Sequence, residues 1–141
     1  MSQHRLQPRT KVAVKAVLFD LDGTVIDSAP DLAGAANAMR LARGLEPVPY
    51  EQLRPCVGSG AAFGIGPDDA AFEAMRAEFL DRYTRMLLDQ TQVFEAMEAL
   101  LQTIEASGTP WGVITNKHQR FTTPIVDGLD ITRRAAVVIC G

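Results

Sequence analysis

The sequence predicts an α/β fold in which a small parallel sheet carries an inserted α-helical cap. Residues 11–19, KVAVKAVLF, are apolar at nearly every position, which is typical of a central parallel strand buried on both faces. A second apolar stretch at Trp111–Ile114 and a third at residues 135–140 have the same character. Helical periodicity separates the three stretches, so we expect a Rossmann-like core with three strands.

Spacings of three and four residues predict the helices of the cap. The first helix follows Ser28 and Pro30 and ends before Gly44, and a short helix is expected near residues 50–54. A helix of about five turns then begins at Asp68, a plausible N-cap. We interpret its apolar stripe as core packing, formed by Phe72, Met75, Phe79, Tyr83 and Met86.

The remaining elements lead back into the sheet. A helix before Gly108 has the apolar positions Val93, Met97, Leu100, Leu101 and Ile104. After Trp111–Ile114, a helix with Phe121, Ile125 and Leu129 precedes the last strand. We therefore divide the chain into an N-terminal tail at residues 1–10, an α/β core at residues 11–27 plus 107–141, and a helical cap domain at residues 28–106.

Composition excludes several classes of protein. The 141 residues are 47% hydrophobic and 22% charged with a formal charge of −3, which favours a globular fold and argues against a nucleic-acid partner. Lys15 interrupts the first apolar stretch, so that stretch predicts neither a signal peptide nor a membrane span. Cys56 and Cys140 lack disulfide or zinc spacing, and we expect reduced thiols in a cytoplasmic protein with no membrane partner. The oligomeric state does not follow from the sequence.

Two carboxylates follow the first strand, at the edge where open α/β sheets bind ligands. Asp20 and Asp22 repel each other when crowded together, and a bound divalent cation would compensate that repulsion. Ligands that offer only oxygen suit Mg²⁺. The alternative, that both aspartates only cap the turn before Gly23, is the commoner one for an isolated motif, but the apolar strand in front favours the metal.

The residues of this edge resemble a known family. Residues 17–32, VLFDLDGTVIDSAPDL, closely resemble the first motif of the haloacid-dehalogenase superfamily of phosphatases, and residues 111–117, WGVITNK, resemble its second. Within that superfamily the combination is most similar to bacterial phosphoglycolate phosphatases, which carry a helical cap between the two motifs. The resemblance spans nearly all of residues 12–141.

The resemblance implies a reaction for the two aspartates. Asp20 would be the nucleophile that forms an aspartyl-phosphate, and Asp22 would be the general acid and base. Mg²⁺ would lie on a carboxylate oxygen of Asp20 and on the backbone carbonyl of Asp22, and would shield the nucleophile from the anionic substrate. The implied activity is hydrolysis of a small phosphorylated metabolite, 2-phosphoglycolate, to glycolate and phosphate.

Seven further residues are candidates for substrate contact. Thr115 would hold phosphoryl oxygens from the end of its strand, although Thr115 alone could equally be an ordinary strand end. For Asn116 a helix cap, and for Lys117 a solvated side chain, are the alternatives. Glycines in the cap would let the backbone approach an anion, or would only form a flexible loop. The cap candidates are Arg54, Gly58, Ser59 and Gly60.

Other functions stay open. Members of the family continue past the position of Gly141 with a lysine-bearing third motif and an acidic fourth motif, so we expect this chain to be truncated after the second motif. Three strands would leave the edge of the first strand unpaired, which invites self-association. The alternatives are a sugar-phosphate phosphatase of the same superfamily and a catalytically incomplete fragment that binds phosphate and metal. A receiver domain is disfavoured by the helical insertion after the first strand.

Overall fold

The computed structural model describes residues 13–56, 68 and 70–141, which form five short strands and six α-helices. The predicted tail at residues 1–10 lies outside the described residues. The strands are β1 (Val17–Phe19), β2 (Ile26–Asp27), β3 (Gln92–Val93), β4 (Trp111–Ile114) and β5 (Val137–Ile139). The helices are α1 (Ala29–Leu41), α2 (Tyr50–Leu53), α3 (Phe72–Thr84), α4 (Glu95–Ala106), α5 (Gln119–Gly128) and α6 (Ile131–Arg134), with a 3₁₀ turn at Arg54–Cys56.

A parallel sheet of three strands in the order β1-β4-β5 forms the centre of the fold, as predicted. Val17 pairs with Trp111 and Gly112 pairs with Val137, so the three strands point the same way and end at one edge. The bounds of β4 match the predicted ones. A separate antiparallel pair joins β2, just before the segment predicted as the cap, to β3, which lies within that segment.

The first strand is shorter and less buried than the sequence predicts. Pairing begins only at Val17, because the partner strand β4 begins at Trp111, so residues 13–16 have no neighbour to pair with. β1 is an edge strand of the described sheet, and its Leu18 side chain is 54% exposed. For the described residues, the prediction of a central strand buried on both faces was therefore wrong, whereas the unpaired edge expected from a sheet of three strands was confirmed.

Several helix bounds also differ from the predicted ones. α3 is capped at Ala71 and ends at Thr84, so Asp68 is not its N-cap and Met86 lies beyond its end. Val93 belongs to β3, because it pairs with Ile26, and α4 begins only at Glu95. α6 was not predicted from the sequence. The last strand is shorter than predicted, with bounds Val137–Ile139 instead of residues 135–140.

The two faces of the sheet differ sharply in burial. One face packs into the core, where Trp111 and Val113 contribute to a cluster with Phe121 and Ile125 of α5. The opposite face is apolar but exposed, and we call it the outer sheet face; its exposed side chains are Leu18, Ile114, Val137 and Ile139. Among the described helices, none has the length and hydropathy to cross a membrane.

A buried carboxylate connects α1 to the segment before β3. Asp31 is fully buried in the first turn of α1 and accepts hydrogen bonds from the backbone N–H groups of Gln90 and Thr91, both at 2.9 Å, and from the Thr91 hydroxyl at 2.6 Å. Three donors and the helix N-terminus compensate the burial of this carboxylate. Asp31 therefore holds the segment that leads into β3 against the start of α1.

A surface ion-pair network connects α1 to α3. The Glu78 carboxylate accepts hydrogen bonds from Arg43, at 2.6 Å and 3.2 Å, and from Arg82 at 2.9 Å. The hydrogen bonds from Arg43 lower the pKa of Glu78 to about 2, against a partial burial that raises it and with further help from Arg82. The network thus favours the ionised form of Glu78 in the folded state.

Because its folded pKa is depressed from 4.5 to about 2, Glu78 contributes stability above pH 4.5 that is lost as the pH falls toward 2. We expect the Glu78→Gln variant to lose that part of the pH dependence. We expect the lost pH-dependent stabilisation to amount to about 1 kcal/mol, because the ion pair between Glu78 and Arg43 is partly exposed. The free energy of unfolding, measured by urea denaturation at pH 6 and at pH 3, tests this expectation, with Glu51→Gln as a control carboxylate. An equal change in that free energy between the two pH values for Glu78→Gln and wild type would contradict the assignment.

Because the outer sheet face is apolar and exposed, we expect the chain to self-associate through it. The double variant Val137→Thr, Ile139→Thr keeps β-branched side chains in β5 while it makes this face polar. We expect less self-association than in wild type, measured by sedimentation velocity across a concentration series. Leu41→Gln, which removes an apolar side chain 59% exposed at the end of α1, is the matched control and should change nothing. Equal association of wild type and the double variant would refute the role of this face.

Candidate active site

The loop after β1 is a tight turn wound around one carbonyl. The Leu21 carbonyl accepts hydrogen bonds from the N–H groups of Val25 at 2.9 Å, Ile26 at 3.1 Å and Thr24 at 3.3 Å. Gly23 has a φ of 74°, a left-handed conformation that glycine adopts without strain. Leu21 is buried while its neighbours Asp20 and Asp22 are not, so the turn is anchored in the core and presents two carboxylates outward.

The Asp20 carboxylate is exposed and has one hydrogen bond. Its Oδ1 accepts from the Leu21 N–H at 2.8 Å, which fixes the side chain against its own turn. In the described part of the chain, no side chain donates to Asp20. Its second oxygen therefore keeps its acceptor sites for a ligand.

Asp22 is the point where three segments of the chain meet. Its Oδ1 accepts a hydrogen bond from the hydroxyl of Ser28 and another from Nζ of Lys117, at 3.0 Å. Ser28 is the N-cap of α1 but makes no side-chain capping bond, because its hydroxyl is directed to Asp22 instead. The turn after β1, the start of α1 and the loop after β4 are thus fixed relative to one another.

Lys117 is buried, contrary to the alternative of a solvated side chain. Its side chain is 10% exposed, and Nζ lies 4.9 Å from the centre of the Tyr83 ring. Burial by itself lowers the pKa of Lys117, but the attraction of Tyr83 and of the Asp22 carboxylate outweighs it, so the pKa lies above its ordinary value of 10.5. Lys117 is therefore a protonated ammonium at neutral pH.

The loop after β4 is shaped by its own backbone bonds. Thr115 is buried, its N–H donates to the Ile139 carbonyl at 2.9 Å, and its hydroxyl accepts from the Lys117 N–H at 3.1 Å. His118, not Asn116, caps α5, since its Nδ1 accepts from the Arg120 N–H at 3.2 Å. The helix-cap alternative for Asn116 was therefore wrong, and its exposed side chain is free to meet a ligand.

Asp22 lies between two clefts. The larger, of about 760 Å³, lies between α3 and the loop after β4, and includes Asp22, Asn116 and Lys117 among its lining residues. The smaller, of about 280 Å³, brings Arg54 to the other side of Asp22. Asp20 and Thr115 line neither of these clefts. The candidates Gly58, Ser59 and Gly60 lie outside the described residues.

Three polar side chains line the larger cleft but were not among the site residues predicted from the sequence: Arg76, His118 and Arg120. Arg76 lies on α3 one turn before Phe79, which also lines the cleft, so helical spacing places both on the same face. Arg120 follows the second motif closely. The spacing of Arg76 from Phe79, and of Arg120 from the second motif, could have identified both arginines from the sequence.

The carboxylates at this edge fit a hard cation. Asp20 and Asp22 offer only oxygen, and Mg²⁺ is usually bound by one or two carboxylates, with water and substrate phosphate completing the shell. The exposed Asp20 carboxylate and its incompletely occupied acceptor sites suit such a ligand. Over residues 13–56, 68 and 70–141, no cluster of three or more His, Cys, Asp or Glu side chains is arranged for a metal. Neither Cys56 nor Cys140 forms a disulfide among the described residues.

The pairing of Lys117 predicts a measurable shift. In Asp22→Asn the carboxylate is gone while the burial of Lys117 stays, so we expect the pKa of Lys117 to fall below its value in wild type. The ¹⁵N shift of the labelled lysine ammonium, followed against pH by NMR, measures it. Asp27→Asn removes a nearby carboxylate that does not contact Lys117 and is the control. An unchanged pKa in Asp22→Asn would disprove the ion pair.

Comparison with curated proteins gives close relatives. The chain is 41% identical over 136 residues to an N-acetylmuramic acid 6-phosphate phosphatase of Pseudomonas aeruginosa, covering 92% of this chain and 60% of that protein. It is 43% identical over 132 residues to a phosphoglycolate phosphatase of Xanthomonas campestris pv. campestris, covering 90% of this chain and 60% of the relative. The chain thus spans about 60% of the length of these relatives.

Solved structures share the fold. A haloacid dehalogenase-like family hydrolase from Streptococcus pneumoniae superimposes with a TM-score of 0.76 at 19% identity, over 91% of this chain and 61% of that one. A protein described as a phosphoglycolate phosphatase of Haemophilus somnus gives a TM-score of 0.68 at 21% identity, over 90% and 62%. The family model for haloacid dehalogenase-like hydrolases matches residues 17–141, from β1 to the last residue of the chain. The chain therefore belongs to the haloacid dehalogenase-like hydrolase family.

Proposed function

We propose that this chain carries the nucleophile of a Mg²⁺-dependent phosphomonoesterase that acts through an aspartyl-phosphate. The observation that carries the proposal is the pair of aspartates after β1. Asp20 is exposed and only fixed against its own turn, whereas Asp22 is held by Ser28 and Lys117 beside a cleft. Two carboxylates in such different surroundings are suited to different tasks.

Asp20 has the position of a nucleophile. Its free oxygen would attack phosphorus, forming the bond to phosphorus as the ester oxygen leaves, and water would then hydrolyse the acyl phosphate. The hydrogen bond from the Leu21 N–H fixes the carboxylate before the reaction and so reduces the entropy lost on reaching the transition state. Attack by one anion on another is the difficulty that the rest of the site must reduce.

Asp22 has the position of a general acid and base. It lines the larger cleft, so a leaving alkoxide bound there could take a proton from its carboxyl group. The same carboxylate would then accept a proton from the attacking water. Ser28 and Lys117 both bind Oδ1, which leaves Oδ2 as the oxygen that exchanges the proton.

Asp20, through a carboxylate oxygen, and Asp22, through its backbone carbonyl, would also hold Mg²⁺, whose charge when bound would offset the repulsion between the nucleophile and the phosphate dianion. The Lys117 ammonium adds a positive charge that belongs to the chain itself. Thr115 and Asn116, at the end of β4, are the proposed contacts of the phosphoryl oxygens, and Arg54 is a proposed contact from the smaller cleft. Gly58, Ser59 and Gly60 complete the proposed set.

The proposed substrate is 2-phosphoglycolate. Relatives with 41% and 43% identity are named for N-acetylmuramic acid 6-phosphate and for phosphoglycolate, and both names denote small phosphorylated acids. A phosphatase of sugar phosphates is therefore the nearest alternative. We further propose that the protein acts in the cytoplasm, and that residues 28–106 form a cap over a core made of residues 11–27 and 107–141.

A second candidate function is phosphate and metal binding without turnover. It is favoured by the absence, within the described part of the chain, of any acidic cluster larger than the pair after β1. Such a unit would bind Mg²⁺ and phosphate but would release no product from a phosphomonoester. The experiment below separates the two functions.

We expect the purified chain to release phosphate from 2-phosphoglycolate with Mg²⁺ but not with excess EDTA. Asp20→Asn should lower the rate by a factor of about 10³ or more, because the amide is a poor nucleophile and carries no charge for the metal. Asp89→Asn, which changes an exposed carboxylate that lines neither cleft, is the matched control. Turnover that survives in Asp20→Asn would rule out the nucleophile, and a folded wild-type chain that binds phosphate without releasing product would favour the second function.

A further inference from the structure

The larger cleft carries more positive than negative charge. Arg76, Lys117 and Arg120 line it, against the carboxylate of Asp22. Lys117 is already paired with Asp22 at 3.0 Å, so the two arginines set the remaining charge of this part of the molecule. A concave site with an excess of one charge concentrates ligands of the opposite charge.

Arg120 is held in place without using its donors. Its guanidinium carbon lies 4.4 Å from the centre of the Phe121 ring, and Phe121 is buried and therefore a rigid support. Within the described chain, no carboxylate forms a salt bridge with Arg120. Stacking on the ring restricts the side chain while the N–H groups in the guanidinium plane stay available.

Arg76 reaches the same cleft from the opposite wall. It lies on α3, whereas Arg120 lies on α5, so a ligand between these helices would meet a guanidinium on each side. The salt bridge of Arg76 within the described residues is to Glu73, at 4.0 Å, and its side chain is 56% exposed. Such a long and exposed pair is weak, and a ligand carboxylate can replace it.

We propose that Arg76 and Arg120 form a second anion subsite that binds a carboxylate carried by the phosphorylated substrate. The proposal rests on the proposed function, since it takes the phosphoryl group to lie at the turn after β1. A planar guanidinium matches a carboxylate with two parallel hydrogen bonds, and a pair of guanidiniums fixes its position. Arg76 and Arg120 then select phosphorylated acids over neutral sugar phosphates.

Two phosphonates test the subsite without turnover. In 3-phosphonopropanoate a methylene replaces the ester oxygen of 2-phosphoglycolate, and 3-hydroxypropylphosphonate replaces the carboxylate with a neutral hydroxymethyl group. Isothermal titration calorimetry with Mg²⁺ measures both affinities for wild type, Arg76→Gln, Arg120→Gln and the control Arg85→Gln. Arg85 is an exposed arginine just after α3 that pairs with Asp81 and does not line the cleft.

We expect wild type and Arg85→Gln to bind the carboxylate compound about tenfold more tightly than the neutral one, as for a charge-assisted hydrogen bond partly exposed to water. Arg76→Gln and Arg120→Gln should lose most of that preference while they bind the neutral compound as wild type does. If wild type binds both compounds equally, or both arginine variants keep the preference, the subsite is refuted and the proposed function stands. If wild type binds neither compound, the phosphate site itself is absent and both proposals fail.

Discussion

The ion pair between Asp22 and Lys117 is the interaction on which the arrangement of the site depends. It joins residues that are 95 positions apart in the chain, and the Ser28 hydroxyl on the same carboxylate oxygen adds the start of α1. Among the described residues, these contacts hold the loop after β4 against the turn after β1, because the parallel pairing of β1 and β4 ends at Phe19 and Val113, before either loop begins. The position of the polar groups is thus set by charge, whereas the sheet beneath them is set by apolar packing.

Two carboxylates illustrate how burial separates structural from chemical roles. Asp31 is fully buried and takes three hydrogen bonds, so its acceptor sites are used and its task is to hold the chain. Asp20, eleven positions earlier, is exposed and accepts one bond from its own neighbour. Both lie within residues 17–32, a stretch of apolar residues and aspartates, and only their contacts distinguish their roles. The motif singled out Asp20 but gave no role to Asp31, because the partners of Asp31 lie about 60 positions away in the chain.

The sequence predicted the elements whose signal is local and missed what depends on distant partners. Trp111–Ile114 and the core of α5 follow from their own apolar pattern, and the Asp20–Asp22 turn follows from its glycine. The burial of Lys117 could not be predicted, because Tyr83 and Asp22 reach it from two other parts of the chain. The apolar pattern of β1 alone predicted a central strand, because a run of apolar residues looks the same at an edge and in the middle, whereas the number of strands predicted its unpaired edge. α6 has four residues, too few for a helical period to show.

Gly141, two residues after β5, constrains the loop after β4. Its N–H donates to the Lys117 carbonyl at 3.1 Å, and its own carbonyl accepts from the Gln119 N–H at 3.0 Å. A Cβ at this position would come within 2.7 Å of the Asn116 carbonyl oxygen, a backbone atom that cannot move without the loop. Any other amino acid here would therefore force the loop after β4 to shift, although glycine takes no part in chemistry. In related sequences that keep the loop in this shape, we expect a glycine two positions after the strand that follows α6 to be as invariant as the reacting residues themselves.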